Sequence, residues 1–286
     1  MEHAGEGVDS GTNPLETNMR IVHATDLLDD GGIAFEHAVA LAHAAGAELT
    51  TLHANPSRGQ THRALPAARD LLKRWHRGAP HIEHHRLTPD VCDDPVDTLL
   101  DAFNAIDPDL LVVGAHRRTG LRAMFKESVA TAIARNVTVP ILLLPIGEHG
   151  FVDSELGQVA LDTVVIPVGD EEAATRALST LASLLDSFGV ENVDVHLLSV
   201  DGAMTLDGLE LPATNRMTVT LTERAGPLEA AINHYADEVS AALIVMATRQ
   251  QDSVLDFFMG THTERVVQHA GCPVLCVPLT GGNTQV

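Results

Sequence analysis

The second half of the chain repeats the first half. Residues 110–145 align with residues 243–278 without a gap, at a constant offset of 133 residues. Each segment opens with an apolar run and continues through a polar stretch to a hydroxyl residue, Ser128 or Thr261. Each ends in a second apolar run led by proline, PILLLP in the first copy and PVLCVP in the second. An internal repeat of this length predicts two copies of one domain.

The length of the chain agrees with that prediction. Its 286 residues suffice for two domains that each bury a core of their own. Polar and glycine-rich composition predicts a disordered tail at the start and a linker between the copies. The expected boundaries are 1–18 for the tail, 19–146 for the first domain, 147–159 for the linker and 160–280 for the second domain.

Both copies alternate predicted strands with predicted helices, and their strand runs are almost wholly apolar. This pattern is typical of a parallel sheet covered on both faces, and therefore of an α/β fold. The first copy has predicted strands at 20–25, 48–54, 81–87, 110–114 and 141–144, and helices at 33–45, 64–77, 95–106 and 129–136. The second copy has predicted strands at 163–169, 193–200, 216–223, 243–247 and 274–277, and helices at 172–188, 228–239 and 263–269.

The shortening of the second copy and the closing strands of both copies bear on how the whole chain assembles. Residues 201–215 contain glycine, proline and asparagine and predict a loop, so the second copy is shortened and has lost its second helix. The closing strands, 141–144 and 274–277, are apolar and lie last in their sheets, so each presents an edge that needs covering. We therefore expect these two strands to bring the copies together as an internal pseudo-dimer.

Charge and composition exclude several classes of function. The formal net charge is −21, which disfavours binding to nucleic acid or to an anionic membrane. No apolar run approaches the ~20 residues that cross a bilayer, and residues 1–18 lack the pattern of a secretory signal. The three cysteines, Cys92, Cys272 and Cys276, form no CxxC pair. A reduced, cytoplasmic location is the expectation.

The order of these motifs resembles the universal stress protein family in its tandem two-domain form. The pieces are an aspartate after the first strand, the pair Asp94-Pro95 opening the third helix, a strand-loop-helix block and a proline-bounded closing strand. The resemblance covers nearly all of the chain except the tail and the linker. It implies two flavodoxin-like domains of the adenine nucleotide alpha hydrolase-like type, each with a five-stranded parallel sheet. It also implies a cytoplasmic stress-response binding protein that acts through a protein partner, as an internal pseudo-dimer or a homodimer.

The resemblance also implies a nucleotide site in the first copy. In nucleotide-binding members the strand-loop-helix block reads Gly-x2-Gly-x9-Gly-[Ser/Thr], where glycines let backbone N–H groups approach the phosphates. Asp26, Gly114 and Ser128 occupy matching positions here, whereas Arg117 and Glu127 replace the second and third glycines. The expected ligand is ATP or AMP. The plainer alternatives are that Asp26 is a helix cap and that the arginines belong to a solvated loop.

The second copy keeps a different part of the same pattern. Gly260 and Thr261 match the last glycine and the hydroxyl, while Ala247 and Gln250 replace the first two glycines and Gly169 stands at the aspartate position. A helix start is the plainer interpretation of the Gly-Thr pair. The corresponding stretch of the first copy carries four cations, so a polyphosphate should prefer that copy by charge, although Glu127 opposes it. Those cations are Arg117, Arg118, Arg122 and Lys126.

Two functions from other classes stay open. The first is a nucleotide hydrolase or transferase of the same fold. Walker, GxSxG and HExxH motifs are absent from the sequence, and only Asp26 and Ser128 are candidates to hold a catalytic Mg²⁺. We therefore predict no catalytic residue and at most slow ATP hydrolysis.

The second alternative is a zinc-responsive module. Its candidate ligands are close in sequence or expected to be close in the fold, and they are His81, His84, His85, Cys92, Asp93, His53 and His116. On a strand His81 and His85 would share one face while His84 points away, which suits three ligands of one metal poorly. No metal site is predicted.

Overall fold

The computed structural model describes residues 19–25, 32–53, 67–77, 82–88, 95–115, 138–202, 209–249 and 262–279. Strands and helices alternate along the first half of the chain. They are β1 (Arg20–Thr25), α1 (Gly32–Ala45), β2 (Glu48–His53), α2 (Ala68–Arg74), β3 (His84–Leu87), α3 (Pro95–Ile106), β4 (Leu110–Ala115) and β5 (Ile141–Pro145). The predicted helix at 129–136 lies outside the described residues.

The second half follows the same order. Its elements are β6 (Thr163–Val168), α4 (Glu171–Phe188), β7 (Val193–Val200), β8 (Met217–Arg224), α5 (Leu228–Glu238), β9 (Leu243–Arg249), α6 (His262–His269) and β10 (Val274–Leu279). Where the structure describes the connection from β7 to β8, at 201–202 and 209–216, it contains no helix.

Helix α4 shows how local sequence fixes an element. Its buried residues recur at helical spacing: Ala174, Ala177, Leu178, Leu181 and Leu185. The Asp170 side chain caps the first turn by accepting a hydrogen bond from the backbone N–H of Ala173, at 2.9 Å. Gly189 ends the helix with a φ of 64°, a left-handed conformation that glycine adopts without steric cost.

All ten strands form one sheet, in the order β3-β2-β1-β4-β5-β10-β9-β6-β7-β8. Strands within each half are parallel, so each half is a five-stranded parallel sheet with the same strand order. The halves meet where β5 pairs with β10 in the antiparallel sense, with Leu143 opposite Val274 and Ile141 opposite Cys276. The predicted α/β class and the predicted joining of the copies through their closing strands are confirmed.

Helices cover both faces of this sheet. On one face α1, α2 and α4 pack against alternate strand residues such as Ile21, Leu110 and Val164. On the other face α3, α5 and α6 pack against the intervening residues, for example Val22, Leu111 and Ile244. Strands β5 and β10 are buried along their whole length, because pairing leaves neither of them at an edge.

Several predicted boundaries are wrong. Helix α2 ends at Arg74 rather than at Arg77, because the chain turns at Trp75 and His76, whose φ is 51°. Strand β3 begins at His84, so residues 82 and 83, which were predicted as strand, lie outside it.

The two C-terminal cysteines lie at different places relative to β10. Cys272 precedes β10, whereas Cys276 lies inside it. Both are buried free thiols. Burial raises the pKa of Cys272 to about 12 and raises the pKa of Cys276 further, so neither forms a reactive thiolate near neutral pH.

The segment predicted as a linker packs closely on the first half of the sheet. Residues 149–159, which we call the strap, fold back on themselves through an antiparallel bridge between Val152 and Val159. The Asp153 side chain accepts hydrogen bonds from the backbone N–H groups of Glu155 and Leu156, both at 2.8 Å. The strap therefore has a defined turn and lies against α1 and α2.

None of the helices in the described ranges combines the length and the apolar character that a membrane span requires.

Candidate functional site

The candidate nucleotide site lies where β1 and β4 end side by side. These strands are neighbours in the sheet, with Ala24 opposite Val113. Strand β1 connects onward to β2 on one side, whereas β4 lies on its other side, so the strand order reverses between them. Ligands of open α/β sheets bind at the carboxyl ends of the strands at such a reversal. The chain leaves β1 towards Asp26 and leaves β4 towards Arg117 at this edge.

Of the six predicted site residues, Gly114 is the one that the structure describes. Asp26, Arg117, Ser128, Gly260 and Thr261 lie outside the described residues, as does Glu127. In the sequence, Asp26 directly follows Thr25, the last residue of β1, and Arg117 lies two residues after Ala115, the last residue of β4.

Packing does not require a glycine at position 114. A Cβ atom there would lie 3.4 Å and 3.5 Å from two side-chain atoms of Ile146 and 3.8 Å from the Cβ of Ala34, which are ordinary contacts. The matching position of the second half is an alanine, Ala247. The described packing around β4 therefore tolerates a side chain at this position.

His53 is a residue of this edge that the sequence did not single out for the nucleotide site. Its Nδ1–H donates to the carbonyl oxygen of Thr25 at 2.9 Å, and its side chain is buried. The ring thus joins the last residue of β2 to the last residue of β1, directly before Asp26. A histidine at the end of a predicted strand was the only available signal, and the sequence could not say which neighbour it would contact.

At the ends of β6 and β9, the corresponding place in the second half, the nearby acidic residue has a different role. Strand β6 lies beside β9, with Val165 opposite Ile244, so the same reversal of strand order occurs there. Gly169 follows β6, and the next residue, Asp170, caps α4 through the hydrogen bond to Ala173. This carboxylate is engaged by the helix start, which is an observation that the sequence did not provide.

A group of polar residues is buried beneath α1 in the first half. The His23 side chain on β1 is 2% exposed, and neither of its ring nitrogens has a hydrogen-bond partner among the residues that the structure describes. Its ring centroid lies 5.5 Å from that of Phe35, which in turn lies 5.9 Å from that of His84. Burial, together with the nearby His84, lowers the pKa of His23 to about 3, so the ring is neutral near pH 7.

His84 is held as a structural residue rather than as a metal ligand. Its Nδ1 accepts from the backbone N–H of Ala68 at 3.2 Å, and its Nε2–H donates to the Thr51 hydroxyl at 2.9 Å. Burial, together with nearby Arg86 and His85, lowers its pKa to about 4. His85 is exposed and pairs with Glu83 at 3.2 Å.

No group of three or more potential metal-ligating side chains occurs among the residues that the structure describes. The other candidate ligands, His81, Cys92, Asp93 and His116, lie outside those residues.

Comparisons with known proteins agree with this architecture. The family model described as "Universal stress protein family" matches residues 17–145 and again residues 160–278. A crystal structure of a universal stress protein from Archaeoglobus fulgidus DSM 4304 is similar at 18% sequence identity, covering 91% of this chain and 96% of that one, with a TM-score of 0.61. A functionally unknown protein from Pseudomonas aeruginosa PAO1 is similar at 16% identity, with coverages of 93% and 95% and a TM-score of 0.58. At such identities these two structures show the shared fold alone.

Proposed function

Because the chain belongs to the universal stress protein family, we propose that it is a cytoplasmic stress-response binding protein that takes an adenine nucleotide, ATP or AMP, in its first domain. We propose the domain bounds that the sequence predicts, 19–146 and 160–280, with residues 147–159 as the connection. The second domain contributes β10 to the strand pair that joins the two halves. On this proposal it binds no nucleotide.

The observation that carries the proposal is the meeting of β1 and β4 at a reversal of strand order. Asp26 follows the end of β1 in the sequence and Arg117 follows the end of β4, and Gly114 belongs to β4 itself. Asp26 would accept hydrogen bonds from the nucleoside, and Ser128 with the arginines would contact the phosphates. The second domain is disfavoured because its acidic residue at this edge, Asp170, caps a helix.

A titration with ATP at low salt tests the proposed site. We expect Ser128→Ala to weaken binding by about 10- to 150-fold, because one hydrogen bond to a charged group contributes about 1.5–3 kcal/mol. We expect Glu127→Gly to strengthen binding, because it removes a repelling carboxylate and gives the backbone access to the phosphates. Isothermal titration calorimetry on both variants and the parent measures these changes.

The second domain supplies the matched control. Gly260→Val should leave ATP binding unchanged. Binding that Gly260→Val abolishes and Ser128→Ala leaves intact would place the site in the second domain. An absence of ATP binding in both the parent and Glu127→Gly would refute nucleotide binding altogether.

We propose further that binding, rather than turnover, is the function. Stabilising a phosphoryl transition state requires preorganised donors, a positioned metal and an aligned water. Two of the three glycines that would preorganise the backbone are replaced in each copy. Ligand binding would then act through a conformational or oligomeric change that a partner protein reads.

A phosphate-release assay tests the competing enzymatic function. We expect no release beyond slow background hydrolysis over many equivalents of ATP. Steady multiple turnover that disappears in an Asp26→Asn variant of unchanged stability would favour a nucleotide hydrolase.

A further inference from the structure

The strap, residues 149–159, is attached at two places, to the residues that follow α2 and to α1. Around its turn, the Trp75 indole N–H donates to the carbonyl oxygen of Ser154 at 2.9 Å, and the Arg77 Nε–H donates to that of Leu156 at 3.0 Å. Gly157 lies against the Trp75 ring so closely that a Cβ atom there would overlap it. Trp75 is 3% exposed as a result.

The second place of attachment is a single histidine of α1. The His37 Nδ1–H donates to the carbonyl oxygen of Ile33 at 2.8 Å, and its Nε2 accepts from the backbone N–H of Phe151 at 3.0 Å. The Phe151 ring contacts the imidazole edge-on, at 4.8 Å between centroids. Because the carbonyl of Ile33 can only accept, the bound tautomer carries its proton on Nδ1 and uses Nε2 as an acceptor.

This arrangement holds only while His37 is neutral. A second proton would occupy Nε2 and turn it from an acceptor into a donor that faces the Phe151 N–H. The site has little room for adjustment, because a Cβ atom on neighbouring Gly150 would also overlap the His37 ring. A cationic His37 would therefore leave two buried donors facing each other, which is costly.

We propose that the strap is an acid-released latch, in which protonation of His37 detaches residues 149–159 from α1 and uncovers Trp75. Release would expose the indole and the apolar surface around it without requiring the sheet to open. A fall in pH would thereby expose surface that a partner protein can bind. The device is independent of the nucleotide site proposed above.

The groups around His37 determine that acid weakens the attachment of the strap. Its own helix presents the Ile33 carbonyl and the strap presents Gly150 and Phe151, whereas Glu36 of the same helix is directed to Arg74, at 2.6 Å. Burial lowers the pKa of His37 from 6.5 to about 4, although its bond to Ile33 opposes this shift.

His37 on α1 binds a proton when the strap is released and does not bind one when the strap is attached. Attachment is therefore strongest above pH 6.5 and weakens as the pH falls towards 4. The equilibrium shifts by up to about tenfold per pH unit between these values, and by about 300-fold in total from well above pH 6.5 to well below pH 4.

The only tryptophan of the chain reports on the latch directly. We expect the parent protein, titrated from pH 7.5 to pH 4, to show a red shift of Trp75 emission and stronger quenching by acrylamide. Far-UV circular dichroism should stay constant over the same range, because the sheet stays folded. In His37→Gln the side-chain amide still accepts from Phe151 and does not titrate, so the emission should stay blue-shifted at pH 4.

Two further variants complete the test. Gly157→Val should expose Trp75 already at pH 7.5, because its side chain cannot share the space of the indole. His149→Gln, at an exposed histidine of the strap, should leave the parent's pH response unchanged. The proposal fails if Trp75 becomes exposed only when the circular dichroism is lost, if it stays buried throughout in the parent, or if His37→Gln responds at the same pH as the parent.

Discussion

Replacing Leu143 with aspartate is expected to separate the two halves of the sheet and to destabilise the protein by about 4 kcal/mol or more, since an unpaired buried carboxylate is among the costliest single changes. Leu143 is 1% exposed and lies between Val113 of β4 and Val274 of β10. The substitution therefore acts on the one strand pair that joins the halves. Urea denaturation followed by circular dichroism measures the loss.

The chain offers separate probes for its two halves and a matched control for this substitution. Its single tryptophan, Trp75, lies in the first half, and its single tyrosine, Tyr235, lies in the second. In the parent both should report one transition, and in Leu143→Asp they should report two. Leu211→Asp places the same carboxylate at a position that is 52% exposed and should change stability little. A Leu143→Asp variant as stable and as cooperative as the parent would show that the β5–β10 pairing does not join the halves.

The second large effect concerns His23, whose buried ring nitrogens have no hydrogen-bond partner in the described part of the chain. We expect His23→Ile to stabilise the protein at pH 7 by about 1–3 kcal/mol, because it removes the cost of burying unpaired polar atoms. Isoleucine suits the site, since the register of the sheet makes Ile166 of the second half the equivalent residue. Urea denaturation at pH 7 measures the gain.

The same substitution should reduce the loss of stability in acid. The pKa of His23 is about 3 in the folded protein and 6.5 without burial, so the unfolded chain binds a proton that the folded chain does not. Stability is therefore complete above pH 6.5 and falls as the pH drops, by about 2 kcal/mol at pH 5 from this residue alone. His23→Ile should abolish that part of the loss.

The reverse substitution in the second half is the control. Ile166→His buries an imidazole at the equivalent position of β6 and should make the stability of the protein more dependent on pH between 7 and 5. If His23→Ile loses as much stability as the parent between these pH values, His23 is protonated in the folded protein and its surroundings differ from those described.

The sequence by itself determined the arrangement of the two halves. The repeat at a constant offset, the apolar strand runs and the proline-led closing strands sufficed to predict two α/β domains joined through β5 and β10. These features depend on residues close together in the chain, whose periodicity reflects burial directly. The helix that ends at Arg74 was predicted three residues too long, because the chain turns at Trp75 and His76, and a turn leaves no break in the apolar pattern.

The tertiary structure alone decided which polar residues matter. His23, His37 and His53 are ordinary histidines in the sequence, and each acquires its role from a residue distant in the chain or from burial. His37 meets Phe151 across 114 positions, and Trp75 meets Ser154 across 79. The linker became a packed strap for the same reason. Whether a polar group is satisfied, unpaired or able to titrate depends on what surrounds it in space, and local sequence patterns do not encode those neighbours.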